Sequence, residues 1–579
     1  MDTQCKLDFD FLRSQVIGAD APFTTPFGER LMVYADYTAS GRCLDLVEKY
    51  LQNLQRNYAN THTEDDISGR SMTHLLEQAE QAIKQSVNAG PDGRIICVGT
   101  GATGAIDKLQ QIIGVALPPA TRRNLTAMLK DLLGEAADTR FAEYLKQRQP
   151  VVFVGPYEHH SNEISWRENL ATVVEVNLDD EGGIDLGHLE QLLQDPAYQG
   201  RKRIGSFSAA SNVTGMLTPV HEIAALLHRY DAIACFDYAA SAPYVEIDMC
   251  PEPGKYGGDA SLDAVFISPH KFLGGPGASG VLVFNRRIYQ KDLPPSVSAG
   301  GTVDYVGPTS QDFIEDIEER EKAGTPGVLQ ILKAGLAFQI KDHIGVPVIE
   351  AREHELLMTT FDRWKDNPAI EIMGNPDPER RISIVSFNLR DHRGKYLHPK
   401  FVTTLLNDLF GVQSRAGCSC AGPYGHRLLD IGYEKSEQYR KWIMKGFSGI
   451  KPGWCRISLH YAMDDIEVNY ILDAIEFVAR DGYRFMPLYD FDMHTGAWLH
   501  KADCVSLEGF SLDAALECRG YQSRALSEGE RKMLYGAFLG EAQRLADHLA
   551  AEQAPEEHRL DEELEELKFF SVPEVSVCA

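Results

Sequence analysis

Short runs rich in β-branched and aromatic residues alternate with longer helical patterns through the first half of this chain. Such runs, bounded by turn residues, predict buried strands, and the helical patterns between them predict crossover connections. The fold class expected is therefore α/β, with a mostly parallel seven-stranded sheet and helices on both faces. The seven predicted strands cover residues 94–98, 151–154, 172–176, 204–208, 232–236, 264–268 and 280–284.

The length of 579 residues is too great for one hydrophobic core, so several domains are expected. We predict a large α/β domain over residues 1–300, with a helical insertion near 118–149. A smaller α+β domain over 301–480 is predicted to contain strands at 382–388 and 456–459. Residues 481–579 form a C-terminal extension to which the sequence assigns no role.

The charge of the chain restricts its partners. It has 57 basic and 84 acidic residues, a net charge of −27, which argues against nucleic acid or an anionic membrane as a general partner. No apolar run reaches the 18 residues that a membrane-spanning helix requires. Eleven cysteines without a Cys-x-x-Cys pair indicate free thiols, and hence a cytoplasmic location.

Lys271 follows a predicted buried strand and is succeeded by glycines and a proline. A lysine at such a position is costly as a structural element, but it is useful as an amine nucleophile of lowered pKa. Asp237 ends the preceding predicted strand, and a carboxylate there requires a cation, such as a protonated pyridine nitrogen. A turn-capping aspartate is the alternative. The pair predicts that Lys271 holds pyridoxal phosphate.

The segment Gly99-Thr-Gly-Ala-Thr-Gly104 connects a predicted strand to a helix predicted over 105–115. Its pattern also fits the G-x-G-x-x-G dinucleotide fingerprint, which requires a second strand that ends in an acid about 20 residues later. The chain has Pro118-Pro119 there instead. We therefore predict a phosphate-binding turn built from amide groups and the Thr103 hydroxyl. An ordinary tight turn remains the alternative.

Two further side chains suit catalysis at strand ends. His159, in Tyr157-Glu-His-His-Ser-Asn162, could stack on a cofactor ring or shuttle protons, although histidines are more often simply surface residues. Arg456, near the start of a predicted strand, could clamp an α-carboxylate with two hydrogen bonds. A structural ion pair is the alternative for this arginine.

The string Ser414-Arg-Ala-Gly-Cys-Ser-Cys-Ala-Gly-Pro423 places two thiols among small residues close to Arg415. A nearby guanidinium lowers the pKa of a thiol, so a reactive thiol and an inert loop cysteine are equally compatible with the string. Because Cys418-Ser-Cys420 has no second cysteine pair, no metal site is expected.

Together, these motifs resemble the class V aminotransferase family of pyridoxal-phosphate enzymes, and most closely its cysteine desulfurase branch. The resemblance extends from about Tyr34 to His460. It implies the fold-type I architecture of that family and a homodimer. It also implies a reaction that converts L-cysteine to L-alanine and passes the sulfur to an enzyme cysteine, with a sulfur-acceptor protein as a further partner.

The resemblance assigns roles position by position. The implied catalytic residues are Lys271, Cys420 and His159, and the implied substrate-binding residues are Arg456 and Arg415. Thr325 corresponds to a phosphate contact from the neighbouring subunit, and Asn212 to an amide that bonds the phenolic oxygen of the cofactor. The implied cofactor-binding residues are Lys271, Asp237, Asn212, Ala102, Thr103, Ser268, His270 and Thr325.

Two departures from the family pattern leave other reactions open. Ala240 stands where the family often has a glutamine that bonds the cofactor, and Cys418-Ser419 precede Cys420 in place of bulkier residues or histidine. A class V aminotransferase or a carbon–sulfur lyase without persulfide chemistry is the alternative. An inactive interaction scaffold is a remote one, because it would have no physical reason to keep a buried lysine and acid.

Overall fold

A computed structural model describes residues 7–61, 63, 65–502, 526–549 and 562–571, apart from the side chains of 136–138 and 562. The chain forms two compact units. The first comprises Met1–Ala39, Val213–Gly215 and Ala351–Ala579, and the second comprises Ser40–Asn212 and Met216–Glu350. The sequence-based boundaries at residues 300 and 480 stay a prediction.

The strands are short, as expected for an α/β protein. In chain order they are β1 Pro22–Thr25, β2 Gly28–Leu31, β3 Val33–Tyr34, β4 Gly93–Val98, β5 Val151–Val154, β6 Thr172–Glu175, β7 Arg203–Ser208, β8 Ala232–Asp237, β9 Ala264–Ile267, β10 Gly280–Asn285, β11 Val303–Val306, β12 Gln311–Phe313, β13 Ile370–Ile372, β14 Ile384–Leu389, β15 Val412–Gln413, β16 Arg415–Gly417, β17 Trp454–Ser458, β18 Tyr489–Phe491 and β19 Trp498–His500.

The helices connect these strands and cover the sheets. In chain order they are α1 Phe9–Gln15, α2 Asp45–Leu54, α3 Ile67–Ser86, α4 Gly101–Ile112, α5 Pro119–Leu133, α6 Glu135–Arg148, α7 Ile164–Arg167, α8 Leu186–Gln194, α9 Val220–Arg229, α10 Ile317–Arg320, α11 Val328–Ile344, α12 Val346–Trp364, α13 Pro399–Phe410, α14 Gly422–Leu428, α15 Tyr433–Met444, α16 Asp465–Asp481, α17 Glu528–Leu549 and α18 Glu562–Leu567.

The second unit is built on the predicted seven-stranded sheet, whose strand order is β4-β10-β9-β8-β7-β5-β6. Strand β10 runs antiparallel to both of its neighbours, and the remaining pairs are parallel. All seven predicted strands are present, and no end differs by more than one residue. The α/β prediction is confirmed. The nearly continuous apolar runs of β5 and β9 are fully buried, as expected for strands covered on both faces.

Helix α4 begins at Gly101, four residues before the predicted start. The glycine-rich segment forms the first turn of this helix, because the Gly104 N–H donates to the Thr100 carbonyl at 3.3 Å. The buried face of α4 packs against β4, β9 and β10 in a cluster that includes Ala105, Ile106, Leu109, Ile96, Phe266 and Leu282. This packing fixes the N-terminus of α4 at the sheet edge where β9 ends.

The predicted insertion near 118–149 is a helical hairpin made of α5 and α6. No described residue of α5 is buried. Leu125, Met128 and Leu132 on α5, and Phe141 and Tyr144 on α6, remain exposed. The hairpin therefore adds little to the core of the second unit.

The first unit contains an antiparallel sheet of order β13-β14-β17-β16, which confirms the strands predicted at 382–388 and 456–459 with shifts of one or two residues. Strand β3, near the N-terminus, pairs in parallel with β15, just before β16. Helix α17 from the C-terminal extension packs through Arg531, Tyr535 and Ala546. Among the helices described, none is long and apolar enough to cross a membrane.

Candidate active site

Lys271 lies at the carboxyl end of β9, in the short 3-10 turn Pro269–Lys271. Its backbone N–H donates to the carbonyl of Ser268 at 3.0 Å, which closes the turn, and its side chain is half-buried. Asp237 ends the neighbouring parallel strand β8, where it is paired in register with Phe266. The sheet therefore brings this lysine and this acid to one edge, as predicted from parallel strand ends.

The Asp237 carboxyl is buried and accepts a hydrogen bond from the Ala239 N–H at 2.9 Å. Burial raises its pKa, while the Ala239 hydrogen bond and the positive charge of Lys271 oppose that shift. A carboxylate in this environment is stabilised by a cation brought close to it.

A set of donors converges at the N-terminus of α4. The Ala102 N–H donates to the Ser268 hydroxyl at 2.9 Å. Gly101 has φ +58°, and a Cβ there would lie 2.9 Å from the Ser268 Oγ and 3.5 Å from the His270 Nε2. Burial, with a smaller effect from Lys271, lowers the pKa of His270 to about 4. Its imidazole is therefore neutral and can donate one hydrogen bond to an anion held at this helix N-terminus.

His159 lies beside this helix terminus. Its Nδ1 accepts from the Ser161 N–H at 3.1 Å, so the proton of the neutral ring is on Nε2. The Ser161 hydroxyl is 3.1 Å from the same Nδ1 and 2.7 Å from the Thr103 Oγ1. The two hydroxyl groups thus connect the imidazole to α4 and fix its orientation.

Glu158, which the sequence analysis passed over, is a buried acid beneath the same edge. One carboxyl oxygen accepts from the Ser208 N–H at 2.8 Å, and the other accepts from Asn162 Nδ2 and the Ser208 Oγ, each at 2.7 Å. Burial raises the pKa of Glu158 to about 7, the Ser208 and Asn162 hydrogen bonds oppose the shift, and the charge of Asp237 adds to it. Its place in the turn after the buried strand β5 was the available signal.

Asn212 and Thr325 also belong to the second unit. Asn212 is buried in the segment after β7, whereas Thr325 is exposed in the segment before α11.

In the first unit, Arg456 on β17 stands directly opposite Arg415 on β16. Asp36 bridges them: its Oδ1 lies 2.8 Å from the Arg456 Nη2, and its Oδ2 lies 3.1 Å from the Arg415 Nε. Burial lowers the pKa of Arg456, Arg415 adds to that effect, and Asp36 opposes it. Asp36, also missed from the sequence, is brought here by the β3–β15 pairing.

This arrangement shows that the two guanidinium groups hold a carboxylate between them. The structure shows the ion-pair alternative for Arg456, and binding of a substrate carboxylate by the same two guanidinium groups stays a prediction.

The two thiols follow β16 directly. Cys418 and Cys420 are both exposed, and neither is part of a disulfide. Ser419 and Cys420 have φ of 51° and 57°, in the left-handed region that residues with a Cβ seldom occupy. A left-handed pair of this kind costs free energy and is typical of functional loops.

The second unit thus gathers Lys271, Asp237, His270 and the N-terminus of α4, and the first gathers Arg415, Arg456 and Cys420. The donor set of the second unit fits pyridoxal phosphate. It offers an amine for a covalent link, a buried acid for the ring nitrogen and a glycine-lined cradle for the phosphate.

Comparison with known proteins agrees with this chemistry. A probable cysteine desulfurase of Halalkalibacterium halodurans is 28% identical over 405 residues, which cover 69% of this chain and 86% of the relative. A probable cysteine desulfurase of Streptomyces coelicolor is 26% identical over 400 residues, or 68% of this chain and 84% of the relative.

Solved structures share the fold. A cysteine desulfurase from Thermococcus onnurineus aligns with a TM-score of 0.59 and 21% identity, over 77% of this chain and 94% of that one. One from Escherichia coli aligns with a TM-score of 0.59 and 19% identity, over 81% and 98%. The family model for class-V aminotransferases matches residues 135–471, more than half of the sequence. The chain therefore belongs to the class-V aminotransferase family of pyridoxal-phosphate-dependent enzymes.

Proposed function

We propose that the protein is a cysteine desulfurase, which converts L-cysteine to L-alanine and takes the sulfur onto Cys420. The similarity to cysteine desulfurases supports this reaction class. The observation that carries the choice of Cys420 is the arrangement around β16. This strand presents Arg415 of the carboxylate clamp and leads directly into a loop that exposes Cys420. A thiol so placed suits attack on the sulfur of an amino acid bound by its carboxylate.

In this proposal the second unit holds the cofactor. Lys271 would provide the covalent link, Asp237 would serve the ring nitrogen, and Ala102, Thr103, Ser268 and His270 would hold the phosphate at the N-terminus of α4. His159, oriented by Ser161, would serve the ring, and Asn212 would serve its phenolic oxygen. When bound, pyridoxal phosphate acts as an electron sink for negative charge at the α-carbon of an amino acid.

The residues of the chain then perform the remaining steps. Arg456 and Arg415 bind the substrate carboxylate in competition with Asp36. The Lys271 amine removes and returns protons at the substrate. The Cys420 thiolate attacks the substrate sulfur, so that an S–S bond forms as the C–S bond breaks and its electron pair stays with carbon. In balance, the enzyme thiol and the substrate thiol become an enzyme persulfide and the methyl group of alanine.

The proposal includes a homodimer, in which Thr325 donates to the phosphate in the site of the neighbouring subunit. The exposure of Thr325 in the single chain is compatible with that role. The proposal also includes a cytoplasmic, reducing location, which the free thiols support and which would keep Cys420 reduced between turnovers. A protein that accepts the sulfur is the further partner proposed.

The test compares wild type with Cys420→Ser and with the matched control Cys418→Ser, each loaded with pyridoxal phosphate. We expect all three to bind the cofactor, and only Cys420→Ser to lose alanine production from L-cysteine. Undiminished alanine or sulfide release by Cys420→Ser would favour a lyase without persulfide chemistry. Loss of activity in Cys418→Ser alone would show that Cys418, and not Cys420, carries the sulfur.

A further inference from the structure

A cavity of about 710 Å³ opens beside the cysteine loop and is lined entirely by residues of the first unit. Its volume lies in the range of sites for small organic ligands. Cys418 and Cys420 form part of one wall, and helices α14 and α15 form another. Of the residues that the structure describes, those assigned to the cofactor do not line this cavity, whereas Arg415 and Cys420 of the proposed desulfurase site do.

The charge of this cavity is opposite to that of the chain. Within the part of the chain that the structure describes, no aspartate or glutamate lines it, whereas Lys400, Lys451, Arg415 and Arg440 do. Because Arg415 is paired with Asp36 and Arg440 with Glu437, Lys400 and Lys451 supply the remaining positive charge. The whole chain carries a net charge of −27. A basic pocket on so acidic a protein selects an anionic ligand, because other surfaces repel it.

Lys400 and Lys451 are two of the cations that line the cavity. The Lys400 Nζ donates to the Thr495 carbonyl at 2.8 Å, which holds the half-buried ammonium in place. Burial and the positive charge of Lys451 lower the pKa of Lys400, and the nearby Asp492 opposes that shift. An anion between the two lysines would relieve their mutual repulsion.

Lys451 lies close in the fold to the cysteine loop. Strand β17 starts at Trp454, paired in register with Gly417, and Lys451 precedes it by three residues. The backbones pass so closely that a Cβ on Gly453 would lie 2.9 Å from the Gly417 Cα. Cys418 follows Gly417 directly. Apolar side chains, among them Leu429, Ile443 and Trp454, also line the cavity.

From this juxtaposition of two cavity-lining lysines with the cysteine loop, we infer that the cavity binds a small anionic thiol that accepts the sulfur, alongside the acceptor protein. The inference rests on the proposed function. The acceptor thiolate attacks the outer sulfur of the Cys420 persulfide, an S–S bond to the acceptor forms, and the bond to Cys420 breaks. Enzyme persulfide and acceptor thiol become enzyme thiol and acceptor persulfide, so no external oxidant or reductant is needed.

The test uses the full-length holoenzyme, loaded with sulfur from radioactive L-cysteine and freed of excess cysteine. Discharge is then followed with mercaptosuccinate, 2-mercaptoethanol and cysteamine at equal thiolate concentration. We expect the anionic thiol to discharge the label about tenfold faster than the others, as expected for charge-assisted hydrogen bonds. Lys400→Gln with Lys451→Gln should abolish that preference, and high salt should reduce it. Lys445→Gln, which removes an exposed lysine outside the cavity, should retain it.

Failure of the inference and failure of the proposed function are distinguishable. Normal loading with equal discharge by all three thiols overturns the acceptor site and leaves the desulfurase proposal intact. Absence of loading overturns the desulfurase proposal. The site is then judged by calorimetric binding of mercaptosuccinate to unloaded enzyme. Binding that the two lysine substitutions weaken about tenfold supports the anion site, and no binding, or binding unchanged by the substitutions, overturns it.

Discussion

At the scale of single residues, two buried acids, Asp237 and Glu158, lie at the same edge of the large sheet as Lys271. Asp237 is expected to balance a positive ring nitrogen, and Glu158 lies close enough for the charge of Asp237 to raise its pKa. The two carboxyl groups cannot both carry charge there without cost, because like charges in a buried site oppose each other's ionisation. Their protonation is therefore tied to whether a cation occupies the site.

Replacement of Asp237 tests its partner role. Asp237→Asn keeps the shape of the side chain but removes the negative charge, so we expect kcat for L-cysteine to fall about a hundredfold or more, as when a preorganised electrostatic contact is lost. Asp231→Asn, at the exposed start of the same strand, is the matched control, since asparagine tolerates its φ of 54°. The variant should be assayed at saturating cofactor. A near-normal kcat would show that Asp237 only caps its turn.

Glu158 is expected to make the free energy of unfolding of the protein depend on pH. The unfolded chain releases this proton near the ordinary value of 4.5, whereas the folded chain keeps it up to about 7. The folded state then binds more protons between these pH values, so this group lowers the free energy of unfolding as pH rises from 4.5 to 7, by about 3 kcal/mol at most.

Urea unfolding of wild type and Glu158→Gln at pH 5 and pH 7 measures this effect. We expect the wild type to lose more stability than the variant between these two pH values, because glutamine does not titrate. Glu168→Gln, which removes an exposed carboxylate nearby, is the control. A difference between wild type and Glu158→Gln that is the same at both pH values would contradict the account.

At the scale of elements, the N-terminus of α4 forms the anion cradle, and Gly101 is the residue that shapes it. Gly101→Ala would strain a left-handed backbone by about 1–2 kcal/mol and would place a methyl group 2.9 Å from the Ser268 Oγ. We expect the dissociation constant of pyridoxal phosphate to rise about tenfold. The control is Gly99→Ala, whose added Cβ meets nothing within 4 Å. If absorbance titrations gave the two variants equal affinities for pyridoxal phosphate, they would contradict binding of the phosphate at this turn.

The elements themselves were largely predictable. Seven runs rich in apolar residues predicted each strand of the large sheet to within one residue, because strands covered on both faces are largely apolar. Strand order was not predictable, since the position of antiparallel β10 between β4 and β9 depends on tertiary packing. The contacts of Asp36 could not be predicted for a related reason, because its two arginine partners lie 379 and 420 positions later in the sequence.

At the scale of the whole molecule, the proposed homodimer makes each site depend on two chains. Thr325→Glu should repel the phosphate in the neighbouring site, and Lys271→Ala should inactivate the site of its own chain. Co-expression of these two inactive variants places both defects in one site of the mixed dimer and leaves the other site intact. We expect about a quarter of wild-type activity for random pairing in a two-fold dimer. No recovery in mixed dimers separated by affinity tags would contradict the shared site.

Cys420 is proposed to carry the sulfur taken from L-cysteine. Holoenzyme is mixed with one equivalent of L-cysteine, thiols are trapped by alkylation, and the added sulfur is mapped by peptide mass spectrometry while alanine is measured. We expect one alanine for each persulfide, with the extra sulfur on Cys420 and none on Cys418. Alanine without protein-bound sulfur, or sulfur confined to another cysteine, would contradict it.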